Sequence, residues 1–298
     1  MQLWVCAHGG VSYAELRALE MANQDVWGHN WGSPNGQPAG VVPLLSLRKA
    51  APSTWPWASA LALYGNEPQM PGPDGDGYTF RAFDAGRMAG ELMGTMPVGK
   101  TAIVGNFFCA DVSKVAGTCY DGKPPTSDAG PLYWSEYMDS LERVINPVKL
   151  EDVGKGIHYY TRSETFDAKR CIGILEEYHA DWGGPVYLTE LGVEPYRFGL
   201  AKCIEFLDEL VDWALTKPWM AAICWSEWPD YGSDARLWRN GQVTPLGEFY
   251  RSLAQEVRAQ ALPEPEAQEI TTGWERVATA EFMVGDVRYQ SIVRREVG

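Results

Sequence analysis

The segment LALYGNEPQM, from Leu61 to Met70, contains an apolar run followed directly by polar residues, a pattern that recurs along this chain. Its first half is an apolar run, which is typical of a strand buried on both faces in a parallel sheet. The run ends abruptly on an amide, a carboxylate and a proline, at Asn66, Glu67 and Pro68. A carboxylate is costly to bury unless another group compensates it. The role of Glu67 therefore depends on whether a second carboxylate occupies an equivalent position elsewhere in the chain.

Similar apolar runs recur along the chain and alternate with amphipathic segments. The runs predict eight strands, at Leu3–His8, Val26–Trp31, Val41–Leu47, Ala58–Glu67, Thr101–Phe107, Gly156–Thr161, Val186–Leu191 and Ala221–Glu227. The amphipathic segments predict helices at about Ser12–Ala22, Phe83–Met93, Leu132–Val144, Phe166–Ala180, Gly199–Leu215 and Pro245–Ala259. Strands that alternate with helices in this way predict an α/β fold, a (β/α)₈ TIM barrel.

The barrel is predicted to be irregular on one side. Only the segment WGSPNGQPAG, residues 31–40, separates the second and third strands, and the short Pro-rich segment RKAAPSTWPWAS, residues 48–59, follows the third. Both segments are too short for a regular helix, so we expect the second and third helices to be reduced or missing. The alternative is an open doubly wound sheet, but no Gly-rich phosphate-binding fingerprint follows the first strand to favour it.

The composition changes after Ala261. The segment LPEPEAQE, residues 262–269, is rich in Pro and Glu and is typical of a linker. Residues 270–298 show strand-like alternation but are too few for a stable domain of their own. We therefore predict a catalytic barrel over residues 1–262, and a linker with a short C-terminal β-like extension over 263–298. A hairpin packed on the barrel and an oligomer contact both stay open for the extension, as does the oligomeric state.

The overall charge excludes several partner classes. A formal net charge of −14 makes nucleic acids and anionic membranes poor partners. No window approaches the length of continuous apolar sequence that a membrane span requires. No basic segment followed by an apolar run precedes the first strand, so we expect no signal peptide in this chain. Secretion and a cytoplasmic location both stay open.

The cysteines and acidic residues do not form a recognisable metal site. The chain contains no CxxC or HExxH spacing and no EF-hand loop, so neither a metal nor another cofactor is predicted. Four of the six cysteines lie within predicted strands or helices and are expected to be buried free thiols, namely Cys6, Cys171, Cys203 and Cys224. Cys109 and Cys119 flank a polar loop, and a disulfide between them stays open.

Two glutamates occupy the position where barrels carry out chemistry, the C-terminal ends of the strands. Glu67 ends the predicted fourth strand, and Glu190, in YLTELG, ends the seventh. Facing carboxylates cleave glycosidic bonds, because one protonates the departing oxygen while the other attacks the anomeric carbon or activates water. A separation of roughly 5–5.5 Å would favour the covalent, retaining route. A single glutamate could instead cap a helix or pair with arginine, but the pair favours chemistry.

Further polar and aromatic residues lie at the same predicted strand ends. His29 belongs to the second strand, His158 and Tyr160 to the sixth, and Trp225 and Glu227 to the eighth. Imidazole, hydroxyl and carboxylate groups bind sugar hydroxyls, and aromatic rings provide flat platforms for sugar rings. These residues, with Asn66, are the candidate substrate-binding residues. His8, which ends the first predicted strand, and His29 could each bind sugar hydroxyls or be a buried, hydrogen-bonded side chain.

The ordered set of motifs resembles the clan A retaining glycoside hydrolases. It consists of Asn66-Glu67-Pro68, His158-x-Tyr160, Thr189-Glu190 and Trp225, and the resemblance covers about residues 3–260. It implies that Glu67 is the general acid/base, that Glu190 is the nucleophile and that Asn66 binds the sugar 2-hydroxyl. It also implies that Tyr160 hydrogen-bonds the nucleophile and that Trp225 forms the floor of the −1 subsite.

The compact barrel also resembles the short-barrel β-1,3-glucanases of that clan. The Arg that many clan members carry near the first or second strand is absent there, and Arg48 is the nearest substitute. The chemistry further requires an acid whose pKa is raised and a nucleophile that stays ionised, with hydrogen bonds such as that from Tyr160 favouring the ionised form.

The sequence therefore predicts a glycoside hydrolase that cleaves a β-linked polysaccharide or oligosaccharide by a two-glutamate retaining mechanism, with endo action favoured. The alternative is a non-catalytic carbohydrate-binding barrel, or a module associated with a cell wall or a phage particle. Such a protein would keep the aromatic residues but would not need both Glu67 and Glu190. The presence of both therefore favours the enzyme.

Overall fold

The computed structural model describes residues 1–7, 28–30, 41–47, 59–68, 80–110, 131–145, 150–161, 168–193, 195–227, 236–261, 274–284 and 287–296. Eight strands form one sheet: β1 (Gln2–Ala7), β2 (Gly28–Asn30), β3 (Val41–Leu45), β4 (Leu61–Tyr64), β5 (Thr101–Ala110), β6 (Gly154–Thr161), β7 (Val186–Val193) and β8 (Met220–Glu227). The strands pair in the order β1-β8-β7-β6-β5-β4-β3-β2, and each pair is parallel.

The sheet curls into a barrel because its two ends meet. β1, which pairs with β8, also lies beside β2 at the other end of the sheet. This order confirms the predicted (β/α)₈ barrel and excludes the open doubly wound sheet, whose strand order does not run around a closed ring.

Helices alternate with the later strands, as the periodicity predicts. They are α1 (Ala82–Met93), α2 (Pro131–Ile145), α3 (Ala168–Trp182), α4 (Pro195–Leu215) and α5 (Pro245–Ala261). The backbone of α4 is broken at Gly199, where φ is 69°, and this is the residue at which the sequence predicts the helix to begin. The predicted helix at residues 12–22, and the segments 31–40 and 48–58 where reduced helices are expected, lie outside the described residues.

The buried apolar side chains form two layers on opposite faces of the barrel wall. One layer fills the barrel interior and includes Trp4, Cys6, Leu63 and Cys224. The other lies between the sheet and the helices and includes Val5 and most helical core residues. Successive residues of β1 therefore alternate between the two layers, as strand geometry requires.

Two strands of the barrel, β5 and β7, each carry an extra residue near the middle of the strand, close to the predicted catalytic glutamates. In β5 the pairing with β6 shifts between Gly105 and Phe107, so that no residue of β6 lies opposite Asn106. In β7, Leu188 pairs with Ile157 and Glu190 with His158, so that Thr189 is the extra residue. Such bulges bend a strand and redirect its side chains. Both bulges adjoin the predicted catalytic glutamates.

Two short hairpins complete the fold. The strands β9 (Trp238–Arg239) and β10 (Gln242–Val243) pair with each other before α5 and were not predicted. The strand-like C-terminal region forms the antiparallel hairpin of β11 (Trp274–Val284) and β12 (Val287–Glu296). The domain boundary near residue 262 stays a prediction. Among the described helices, none has the length and apolar character needed to cross a membrane.

The predicted free cysteines are confirmed where the structure describes their side chains. Cys6, Cys171, Cys203 and Cys224 are all buried, and none of them forms a disulfide. The side chain of Cys109 and the whole of Cys119 lie outside the described residues, so the disulfide between them stays a prediction.

Candidate active site

Glu67 leaves β4 through an unusual backbone turn. Gly65 has a φ of 82°, and Glu67 itself has a φ of 41°. Residues other than glycine seldom adopt positive φ, and they do so mainly where the surrounding structure imposes it, often at functional sites. The backbone N–H of Glu67 donates to the carbonyl oxygen of Asn106 at 3.0 Å. The bulge in β5 therefore supports the turn that carries Glu67.

Glu190 lies across the barrel from this turn, and the two carboxylates meet. Oxygens of Glu67 and Glu190 lie within 4.8 Å of each other, together with a ring nitrogen of His158. Both glutamates are buried, with exposed fractions of 5% and 2%. The structure thus brings together the two carboxylates that the sequence places at separate strand ends.

His158 lies between the two glutamates. Its Nδ1 is 2.8 Å from Oε1 of Glu67 and 3.5 Å from Oε2 of Glu190. Complete burial lowers the pKa of His158, although the nearby charge of Glu190 acts in the opposite direction. The ring is therefore neutral at pH 7 and bridges the carboxylates. The sequence predicts a sugar-binding role for His158, whereas its observed contacts are to the catalytic pair.

Tyr160 holds Glu190 from the other side. Its hydroxyl donates a hydrogen bond to Oε2 of Glu190, as the family resemblance implies. The hydroxyl oxygen of Ser226, on β8, lies 3.4 Å from that of Tyr160. Ser226 is a member of this network that the sequence reading missed. Nothing in AAICWSE indicates which face of β8 carries Ser226, so the sequence offered no signal for it.

The electrostatics of Glu190 differ from expectation. The pKa of Glu190 is raised to about 7, chiefly by burial and also by the charge of Glu67, while His158 and the Tyr160 hydrogen bond act in the opposite direction. A nucleophile was expected to stay ionised, but one phenolic hydrogen bond does not offset nearly complete burial. The charge of Glu67 beside Glu190 disfavours ionisation of both carboxylates at the same time.

Trp225 takes a different place from the predicted subsite floor. It is fully buried in the layer between the sheet and the helices, with its ring centroid 6.4 Å from that of Tyr250 on α5. Its neighbours Cys224 and Ser226 alternate with it and face the other way. Trp225 therefore packs the outside of the barrel wall and does not lie beside the two glutamates.

The remaining predicted residues are only partly described. Asn66 is buried next to Glu67, with an exposed fraction of 3%. His29 belongs to β2 and Glu227 ends β8, but their side chains lie outside the described residues, as do Arg48 and the whole of His8. Their roles stay predictions.

Two buried polar residues behind the glutamates were not predicted as part of the site. Asn106 and Thr189, the two bulge residues, are both completely buried. The hydroxyl of Thr189 donates to Oδ1 of Asn106 at 3.0 Å. A polar residue within an otherwise apolar strand, as in TAIVGNF, was the available signal.

Glu67, His158 and Glu190 also have the donor types and proximity of a metal site. The shortest separation among them, 2.8 Å between Nδ1 of His158 and Oε1 of Glu67, has the length of a hydrogen bond. That contact joins His158 to the carboxylate pair by a hydrogen bond.

Part of the chain matches a described protein family. Residues 128–250 match the family model of the glycosyl hydrolase catalytic core. The matched segment contains His158, Tyr160, Glu190 and Ser226 and spans less than half of the chain, without Glu67. No curated protein matches the chain.

The fold is similar to solved structures of family GH128. An endo-β-1,3-glucanase of subgroup II from Sorangium cellulosum has a TM-score of 0.57 and 21% identity, covering 85% of this chain and 98% of that chain. An endo-β-1,3-glucanase of subgroup I from Amycolatopsis mediterranei, in complex with laminaritriose, has a TM-score of 0.57 and 15% identity, covering 85% and 99%.

A third similar structure is described as an oligosaccharide-binding protein. It belongs to subgroup VII, comes from Cryptococcus neoformans, and has a TM-score of 0.55 and 13% identity, covering 85% of this chain and 93% of that chain. At such identities, the three likenesses show a shared barrel fold.

Proposed function

We propose that the protein is a retaining β-glycosidase that hydrolyses internal linkages of a β-1,3-glucan. The observation that carries the proposal is the approach of the Glu67 and Glu190 carboxylates to within 4.8 Å. Retaining glycosidases hold their carboxyl groups about 5–5.5 Å apart, whereas inverting enzymes leave about 6.5–9.5 Å for a water molecule. The proximity therefore supports direct attack by one carboxylate.

Glu190 acts as the nucleophile in this proposal. Its ionised carboxylate attacks the anomeric carbon while Glu67 transfers a proton to the departing glycosidic oxygen. The bond to the leaving group breaks and a glycosyl ester with Glu190 forms. Glu67, now ionised, takes a proton from water, and that water attacks the anomeric carbon. The ester breaks, the β configuration is restored, and both glutamates return to their starting states.

His158 stays hydrogen-bonded to Glu67 in both halves of the catalytic cycle. A neutral imidazole carries one proton, so its Nδ1 either accepts a hydrogen bond from the carboxylic acid of Glu67 or donates one to its carboxylate. The 2.8 Å contact suits both states. Tyr160 supports the ionised form of Glu190 by donating a hydrogen bond to it. Asn66 provides an amide for the sugar 2-hydroxyl.

The substrate class rests on the similar structures. Two of them are described as endo-β-1,3-glucanases, one of these with laminaritriose bound. The family-model match over residues 128–250 supports a glycoside hydrolase in general. The second candidate is a binding barrel, favoured by the oligosaccharide-binding protein of the same family. The paired glutamates with their hydrogen-bonded supports favour the enzyme.

The decisive experiment is a hydrolysis panel. Laminarin and curdlan are compared with xylan, mannan, chitin and peptidoglycan, and the product anomer is followed by proton NMR from the first minutes. We expect a β-anomer from a β-1,3-glucan, with loss of activity in Glu190→Gln and Glu67→Gln. Glu205→Gln, on the exposed surface of α4, is the matched control and should retain full activity.

The other outcomes are equally informative. An initial α-anomer would show inversion and overturn the nucleophile role of Glu190. Binding of laminari-oligosaccharides without release of product from any polymer would establish the binding barrel instead.

A further inference from the structure

The two β-bulges next to the active site are linked by a buried hydrogen bond. Asn106 is the extra residue of β5 and Thr189 is the extra residue of β7. These strands are not neighbours, because β6 lies between them. The hydroxyl of Thr189 nevertheless donates to Oδ1 of Asn106 at 3.0 Å. The contact spans β6 and joins the two irregular points of the wall.

A glycine on β6 makes this contact possible. A Cβ atom added to Gly156 would lie only 1.9 Å from Oδ1 of Asn106. The side chain of Asn106 therefore occupies the space that any other residue at position 156 would fill. Burial is complete for both Asn106 and Thr189, and an unmade hydrogen bond between two such polar groups is costly.

Asn106 forms two hydrogen bonds with the turn that carries Glu67. Its Nδ2 donates to the carbonyl oxygen of Gly65 at 3.0 Å. Its own carbonyl oxygen accepts the backbone N–H of Glu67 at 3.0 Å. Both contacts restrain a backbone that holds Glu67 at a φ of 41°. Loss of these contacts would remove two restraints that oppose relaxation of Glu67 to a negative φ.

Thr189 holds Glu190 in a corresponding way. It directly precedes Glu190, and its Oγ1 also lies 3.3 Å from the carbonyl oxygen of Ile157 on β6. The bulge at Thr189 is what pairs His158 with Glu190. One hydrogen-bonded pair thus determines where both glutamate backbones leave the wall.

We propose that Asn106 and Thr189 are positioning residues, which act together as a buried strut that fixes the separation of the Glu67 and Glu190 carboxylates. The inference rests on the proposed glycosidase function for its kinetic consequences, but the geometry it describes does not require catalysis. The proposed mechanism assigns neither residue a contact with the sugar. A small misplacement of catalytic groups can lower a rate by about 100-fold.

The first test replaces Thr189 by Val, which keeps the shape of the side chain and removes its donor. We expect kcat on the β-1,3-glucan to fall by about 100-fold while KM changes less than about 3-fold. Thr189→Ser keeps the hydroxyl and should restore kcat to within a few-fold of wild type. The matched control is Thr244→Val, because the Thr244 hydroxyl also hydrogen-bonds the backbone, at the start of α5.

A second readout does not depend on activity. The titration of Glu190 is followed by NMR of protein labelled at the glutamate carboxyl carbons, with Glu190→Gln used to assign its signal. Separation of the carboxylates removes the charge of Glu67 from Glu190, so the pKa of Glu190 should be lower in Thr189→Val than in wild type. Thr244→Val should leave it unchanged. If Thr189→Val does not fold, Thr189→Ala takes its place, because its smaller side chain leaves room for water.

The outcomes separate the strut from the proposed function. An unchanged pKa of Glu190 in Thr189→Val overturns the strut. Loss of kcat by equal factors in Thr189→Val, Thr189→Ser and Thr244→Val also overturns it, since general destabilisation would then explain the effect. If wild type hydrolyses no glycan, the glycosidase proposal fails, and the titration alone decides whether the strut sets the spacing.

Discussion

Glu190 illustrates at the scale of one residue how burial sets the chemistry available to a side chain. Its carboxyl group lies beside Glu67, His158 and Tyr160, and its pKa is raised to about 7. The proposed mechanism requires the ionised form. The acidic limb of the pH profile for kcat/KM should therefore report a group of the free enzyme that titrates near neutrality.

Removal of the Tyr160 hydroxyl should move that limb. The hydrogen bond from Tyr160 lowers the pKa of Glu190, so Tyr160→Phe raises it. We expect the acidic limb of the kcat/KM profile to shift to higher pH, with a larger loss of activity at pH 6 than at pH 8. The same limb in both proteins would contradict a role for Tyr160 in supporting the carboxylate.

Replacement of Glu190 by Gln should also stabilise the folded protein in a pH-dependent way. The pKa of Glu190 is higher in the folded chain than the ordinary value of 4.5. Folding is therefore penalised increasingly as pH rises from about 4.5 to about 7, and the full penalty persists above that range. At pH 8 this penalty lowers the free energy of unfolding of the wild type by on the order of 3 kcal/mol. The gain in Tm of Glu190→Gln over wild type should grow between pH 5 and pH 8, and a constant difference would contradict it.

Individual residues also show where sequence reasoning succeeds. Glu67, Glu190 and Tyr160 could be placed in the site because they are polar residues at the ends of apolar runs. A polar side chain in a buried environment needs a hydrogen-bond partner. Trp225 was assigned to the wrong face of the wall. A strand buried on both faces lacks polar alternation, so nothing in AAICWSE distinguishes the face of Trp225 from that of Ser226.

At the scale of the elements, the strands and later helices were predictable and the bulges were not. A bulge is one extra residue whose existence depends on how two strands pair, and pairing is not encoded in either strand alone. The repeated Gly-Asn pairs, Gly65-Asn66 and Gly105-Asn106, were visible in the sequence. Both glycines have positive φ, which explains their presence there.

Gly156 gives a direct test of the crowding behind the site. Gly156→Ala places a methyl group against the Asn106 side chain. We expect destabilisation of about 1–3 kcal/mol and a lower kcat. Urea denaturation with initial-rate measurements checks both. Gly173→Ala is the control, because nothing lies within 4 Å of its added Cβ on α3. It should gain about 0.5–1 kcal/mol, and a loss as large as that of Gly156→Ala would contradict local crowding.

At the scale of the whole molecule, the barrel and the C-terminal hairpin are separate sheets. Among the described strands, β11 and β12 pair only with each other, and residues 262–269 form a Pro- and Glu-rich segment. The predicted boundary at 262 and 263 follows from that composition. The partner of the hairpin could not be predicted, because hairpin alternation alone does not identify what covers a face.

Truncation after residue 262 tests this division. We expect the shortened chain to keep the Tm of the full chain to within about 2 °C, because the closed barrel loses no strand partner, and to keep its activity on soluble laminarin. Differential scanning calorimetry and size-exclusion chromatography of both chains check this. A large loss of Tm would show that the extension belongs to the barrel, and a change of apparent mass would assign it to an oligomer contact.

The pairing of β1 with β8 also constrains how the chain folds during its synthesis. Gln2 lies opposite Ala222 and Ala7 opposite Glu227, so the wall closes only when the chain has been made through β8, the last strand of the barrel. Contacts so distant in sequence are formed late and slowly. A nascent chain that ends before β8 already contains Glu67 and Glu190 but lacks the wall that brings them together. We therefore expect the proposed activity only from chains whose synthesis has passed β8.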